Sequence, residues 1–120
     1  MSRPHVLIVG AGGTAGSRLA RLLARSGLFR VTLGARHGDA VQGLAQDLRG
    51  IDPQGEFAFA AIDRAKVSGE RLREIGCWIV VDCVGPSDGG DAGLVEAAIA
   101  AHCHFVDLED ARHHIEGLRT

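Results

Sequence analysis

The stretch His5-Val6-Leu7-Ile8-Val9-Gly10-Ala11-Gly12-Gly13-Thr14-Ala15-Gly16 decides the fold. Its first half is a short, unbroken apolar run, the pattern of a strand buried on both faces. Its second half holds Gly10, Gly12, Gly13 and Gly16. Thr14–Ser26 then reads as a helix, with Leu19, Leu22 and Leu23 on one face and Arg18, Arg21 and Arg25 on another. Strand, glycine turn and helix in that order open a βαβ unit. The same residues are rejected as a secretory signal, because glycines interrupt the apolar region and an arginine-bearing helix follows.

Outward from that stretch the alternation continues. Phe29–Ala35 reads as a second strand and Asp39–Arg49 as a second helix carrying Val41, Leu44, Ala45 and Leu48. Asp52-Pro53-Gln54-Gly55 is a turn, since Pro presets φ and Gly tolerates unusual backbone angles. Phe57–Ile62 is a third strand and Ser68–Ile75 a third helix with Ser68 as N-cap. Trp78–Val84 is a fourth, nearly all-apolar strand. Gly89-Gly90-Asp91 leads into a helix over Ala92–Ala101 with Leu94, Val95, Ala98 and Ile99 inward. His104–Leu108 is a fifth strand, and Asp110–Leu118 begins another helix. The expectation is one α/β domain over residues 1–120: a doubly wound parallel sheet, the Rossmann fold, in strand order 3-2-1-4-5.

Composition agrees with one packed domain and excludes several partners. The chain has 120 residues, 46% hydrophobic and 23% charged, enough apolar material for a core. Thirteen basic against fifteen acidic residues leave a formal charge of −2, which gives no electrostatic case for nucleic acid or an anionic membrane. No apolar run reaches the ~20 residues of a membrane span. Cys77, Cys103 and Cys83 are too few and scattered for a disulfide framework, which suits a reducing cytoplasm. His102-Cys103-His104 and His113-His114 suggest metal ligands by type, but alternate residues of a strand point apart, and no metal site is assigned.

The glycines carry the chemistry. Gly10–Gly16 reads either as GxGxxA (Gly10, Gly12, Ala15) or as GxxGxxG (Gly10, Gly13, Gly16), both dinucleotide fingerprints. One glycine permits the tight turn, the next lets a pyrophosphate approach the backbone, and the last lets helix and strand pack closely. The helix N-terminus at Thr14 and Ala15 then offers N–H groups to the phosphates. An ATP phosphate loop would need Gly-Lys-Ser/Thr, and the only lysine is Lys66. The chain has no Tyr, so the Tyr–Lys catalysis of short-chain dehydrogenases is excluded. Where an NAD site places an acid at the end of the second strand, this chain has Arg36. A guanidinium there pairs with a 2′-phosphate, so NADP is favoured over NAD, with Asp39 near enough to act as a displaced acid.

The glycine loop, Gly34-Ala35-Arg36, Val80-Val81-Asp82-Cys83-Val84-Gly85-Pro86, Leu94–Ala101 and His104-Phe105-Val106-Asp107-Leu108 together resemble the saccharopine dehydrogenase-like family. The resemblance covers the chain but only that family's N-terminal, nucleotide-binding half. It implies a nicotinamide dinucleotide as ligand, with Gly85 and Pro86 beside the nicotinamide. It also implies Asp63 near the adenine, although Asp63 serves equally as a cap for the next turn. Phe105 stands where the family usually has Tyr. The family's substrate region lies C-terminal to this stretch, so the chain is expected to be part of a longer protein, inactive alone and meeting its small-molecule substrate through a further domain. No catalytic residue is assigned. Two functions follow: the cofactor-binding part of an oxidoreductase, or a domain that senses NAD(P)(H) without turnover.

Overall fold

The computed structural model describes residues 2–84 and 91–108. Its elements follow the alternation expected: β1 (His5–Val9), α1 (Thr14–Ser26), β2 (Arg30–Ala35), a short 3₁₀ turn (Gly38–Ala40), α2 (Gln42–Ile51), β3 (Phe57–Ala61), α3 (Gly69–Ile75), β4 (Ile79–Asp82), α4 (Asp91–Ala100) and β5 (His104–Asp107). The five strands form one sheet in the order β3-β2-β1-β4-β5. All four pairings are parallel. The helix expected over Asp110–Leu118 lies outside the described residues.

Period-two alternation splits the central strand between two cores. Val6 and Ile8 pack with Val31, Leu33, Ala20, Ala24, Leu44 and Leu48 on the α1/α2 side. Leu7 and Val9 pack with Val80, Ile62, Leu72, Leu94, Ala97 and Ala98 on the α3/α4 side. Every residue of β1 is buried, as a strand covered on both faces requires.

Two helix faces differ from expectation for one reason. The buried line of α1 is Gly16, Ala20 and Ala24, while Leu22 is 60% exposed. On α4, Leu94, Ala97 and Ala98 are buried and Ile99 is 68% exposed. Both helices approach their neighbours closely, which only small residues permit. A Cβ on Gly69 of α3, for example, would stand 2.9 Å from the Cβ of Ala100 on α4. On α1, Leu19 and Leu23 flank the contact and Leu22 faces outward. The second helix also starts later than expected. Val41 adopts φ −121° and ψ −1° and donates its N–H to Gly38 O, so the chain makes a 3₁₀ turn before α2 begins. Ser68 caps α3 as expected, its side chain accepting the Arg71 N–H at 3.1 Å.

Candidate functional site

Register brings Ala60, Gly34, Val9, Asp82 and Asp107 into one row at the carboxyl ends of β3, β2, β1, β4 and β5. Ligands of open α/β sheets sit outside this edge, at the point where chain connections diverge. Here that point lies between β1 and β4. Beside it opens a cleft of about 360 Å³ lined by Gly10, Gly12, Gly13, Arg36, Arg64 and Val84 together with Val9, Ala35, Ile62 and Ala65.

The glycine loop reaches this cleft through specific backbone demands. Gly10 has φ +84°, and a Cβ there would meet Val84 Cγ2 at 2.7 Å. Its N–H and that of Ala11 both donate to Gly34 O, tying the loop to β2. A Cβ on Gly16 would run into the Gly10 carbonyl oxygen and the Ala11 Cα at 2.8 Å. Gly16 therefore takes the close-packing position of the fingerprint, and Ala15 is exposed. Gly10 and Gly16 thus carry the packing demands, while a Cβ on Gly13 would make only an ordinary contact, 3.5 Å from Gly10 O. Gly12 is also restricted, since its Cβ would lie 3.0 Å from the Cβ of Ala40.

Helix α1 begins with no side chain capping it and no acid in its first turn. Among the described residues, the N–H groups of Thr14, Ala15 and Gly16 have no hydrogen-bond acceptor. Such an end presents donors and partial positive charge to an anion. Arg36 lines the same cleft, is exposed, and meets no carboxylate among the described residues. Asp39 faces a different depression, with Gln42, Arg49 and Phe59.

Asp63 does not join them. Its Oδ1 accepts the Ala65 N–H at 3.0 Å and its carbonyl accepts the N–H groups of Lys66 and Val67, so the carboxylate caps its own turn. Gly85 and Pro86 lie outside the described residues, as do His113 and His114. His102 takes φ +57° at the end of α4. Cys103 turns toward Cys77, with sulfurs 3.5 Å apart, and His104 stacks edge-on with Trp78.

Arg64 and Asp82 were assigned no role by their sequence context. Asp82 is fully buried and Arg64 nearly so. Arg64 Nη2 and Nε both donate to Asp82 Oδ2, at 2.6 and 3.0 Å. Burial pushes the Asp82 carboxyl up from the usual carboxylate value, against the opposing pull of Arg64. Burial, with Asp82 and Asp107 nearby, also raises the Cys83 thiol to about 11, which leaves it a poor nucleophile at neutral pH. The one sequence sign of this pair was an acid closing the apolar run Ile79-Val80-Val81.

Residues 6–116 match the saccharopine dehydrogenase NADP binding domain. The chain belongs to that family. Solved structures similar to it include the following three. The tRNA N6-threonylcarbamoyladenosine dehydratase of E. coli, in complex with ATP, is 21% identical with TM-score 0.68 over 87% of this chain and 50% of that one. Apo saccharopine dehydrogenase (L-Glu forming) from Saccharomyces cerevisiae is 18% identical with TM-score 0.66 over 87% of this chain and 21% of that one. An alcohol dehydrogenase from the archaeon Thermococcus sibiricus, complexed with 5-hydroxy-NADP, is 27% identical with TM-score 0.54 over 67% of this chain and 36% of that one. The first two likenesses are of fold alone. The chain thus spans between 21% and 50% of the length of these structures. No curated protein sequence matches it significantly. The Rossmann domain described above is therefore the NAD(P)-binding domain type of the saccharopine dehydrogenase-like family. Among its described residues, no helix is long and apolar enough to cross a membrane.

Proposed function

We propose that this domain binds a nicotinamide dinucleotide, NADP in preference to NAD, as the cofactor-binding part of an oxidoreductase that moves hydride to or from a small metabolite. The observation that carries this reading is the cleft itself. It gathers Gly10, Gly12 and Gly13 at the start of α1 with Arg36 at the end of β2. The pyrophosphate would lie over the loop, with the N–H groups of Thr14, Ala15 and Gly16 directed at it and the helix dipole favouring its charge. Arg36 would pair with the 2′-phosphate of the adenosine ribose. Gly85 and Pro86, following β4, would face the nicotinamide half. Asp63, held in its own turn, would border the adenine rather than bond to it.

When bound, the cofactor supplies the hydride chemistry, and the chain's residues bind and orient it. Substrate would come from a further domain closing over the carboxyl edge. The domain's inclusion in an NADP-binding family and its likeness to a dehydrogenase complexed with 5-hydroxy-NADP support this reading. Calorimetric titration with NADPH, NADH, NADP⁺ and NAD⁺ tests it. The phosphorylated pair should bind more tightly. Arg36→Ala should weaken NADPH by about 1–3 kcal/mol, the range for a charged hydrogen bond and the group it leaves unpaired, and leave NADH nearly unchanged. Equal losses for both would remove Arg36 as the reader, and no binding of any of the four would refute the proposal.

A further inference from the structure

The buried Arg64–Asp82 pair is unused by the contacts just described, yet it touches the glycine loop through one intermediary. Asp82 divides its two oxygens. Oδ2 takes Arg64 Nη2 and Nε, and Oδ1 accepts the Val84 N–H at 3.1 Å. Val84 in turn occupies the space beside Gly10, within 2.7 Å of where a Cβ would be. Arg64 belongs to the segment after β3, at one edge of the sheet, while Asp82 ends β4 beyond β2 and β1. The side chain therefore spans the carboxyl ends of the two strands that carry the loop and Arg36. The backbone of Arg64 and Ala65 is itself packed on α4, where a Cβ on Gly93 would meet Ala65 O at 3.2 Å.

We propose that Arg64 and Asp82 are positioning residues for the glycine loop, acting through Val84 to hold Gly10 and its neighbours where a pyrophosphate can reach them. The inference rests on the reading of the cleft as a dinucleotide site. A charged pair this buried is weak support for stability, because removing both ions from water offsets their attraction. Its placement is better explained by geometry. The carboxylate fixes the chain just after β4, and that chain forms the wall against which Gly10 turns.

The test is equilibrium titration of NADPH and NADH, with amide spectra of the cofactor-free protein, on the chain and on the double variant Arg64→Met/Asp82→Leu. Removing both charges together takes out both members of this buried pair, a replacement that is often neutral for folding. The folded variant is expected to lose about tenfold or more in affinity for both dinucleotides alike, the scale of a small misplacement at a binding loop. The Gly10 and Val84 amide resonances should move before any ligand is added. Arg64→Lys, which keeps the charge but not both hydrogen bonds, should fall between. Unchanged affinity and unchanged Gly10 and Val84 resonances in the double variant would overturn the inference. So would a loss confined to NADPH, which would make Arg64 a direct reader of the 2′-phosphate. If the double variant does not fold, Arg64→Lys decides by the same two readouts. If the unaltered chain binds neither dinucleotide, the cofactor reading fails, while the amide shifts still decide whether the pair positions the loop.

Discussion

The two ends of the parallel sheet are built from similar residues and differ in what they leave unpaired. The amino end has the larger cavity, about 480 Å³, lined by Arg3, His5, Arg30, Glu56, Cys77 and Trp78 among others. There the charges answer one another, Arg3 to Asp52 at 2.6 Å and Arg30 to Glu56 at 3.1 Å. His5 is saturated too. Its Nδ1–H donates to Gly76 O at 3.2 Å, so Nε2 accepts the Thr32 hydroxyl at 2.6 Å. The carboxyl end has the smaller cleft, about 360 Å³ and lined by Arg36, but there neither Arg36 nor the first N–H groups of α1 meet an acceptor among the described residues. On the reading proposed above, unsatisfied hydrogen-bonding capacity points to the binding site and cavity volume does not. The asymmetry follows from the fold, because crossover helices begin at the carboxyl edge and point their positive ends there.

The contrast breaks most visibly at Gly16. Any side chain there collides with the backbone of Gly10 and Ala11, which cannot yield as a flexible side chain would. Gly16→Val should therefore destabilise the domain by about 3 kcal/mol or more and abolish dinucleotide binding, as read by urea denaturation and calorimetry. A stable Gly16→Val protein would show that the loop is looser than its packing indicates.

The amino end should respond to pH instead. Burial, reinforced by the Arg30 charge, lowers the His5 pKa below its ordinary value near 6.5. A base with a depressed folded pKa contributes stability above its unfolded pKa and loses it as pH falls toward the folded value. The unfolding free energy from urea titrations should therefore fall below pH 6.5, by at most about 1.4 kcal/mol per pH unit from this group. His5→Gln should remove that part of the slope while leaving cofactor affinity unchanged. An identical slope in the variant would show that other groups carry it.

The smallest effect lies at the end of α4. Cys103 N–H to Ala98 O and His102 N–H to Ile99 O close the helix, with His102 in the left-handed region at φ +57°. Gly27 and Gly76 fill the corresponding places after α1 and α3. His102→Gly should raise stability by about 0.5–1 kcal/mol in thermal denaturation, since glycine meets no Cβ penalty there. No change in cofactor affinity should accompany it.

Periodicity and turn chemistry act over a few residues, and they sufficed to place five strands, the glycine turn, the Ser68 cap and the order 3-2-1-4-5. An unbroken apolar run such as His5–Val9 has few structural solutions, and parallel crossovers have a fixed hand. The place of Arg36 just beyond β2 was likewise legible, because the strand ends at Ala35. Contacts between distant segments were not legible in this way. The choice of Gly16 over Ala15 as the packing glycine depends on how closely α1 approaches the loop. The burial of alanines in place of Leu22 on α1, and the exposure of Ile99 on α4, depend on the same separations. Cys77 and Cys103, far apart in sequence, meet only because β4 and β5 pair, and there burial pushes the Cys77 thiol up to about 12. Arg64 reaches Asp82 only because the strand order puts two strands, β2 and β1, between the end of β3 and β4. Local sequence determines which elements form and which charges they carry to the sheet edge. Which of those charges neutralise each other, and which stay open to a ligand, depends on interatomic distances that exist only once the chain has folded.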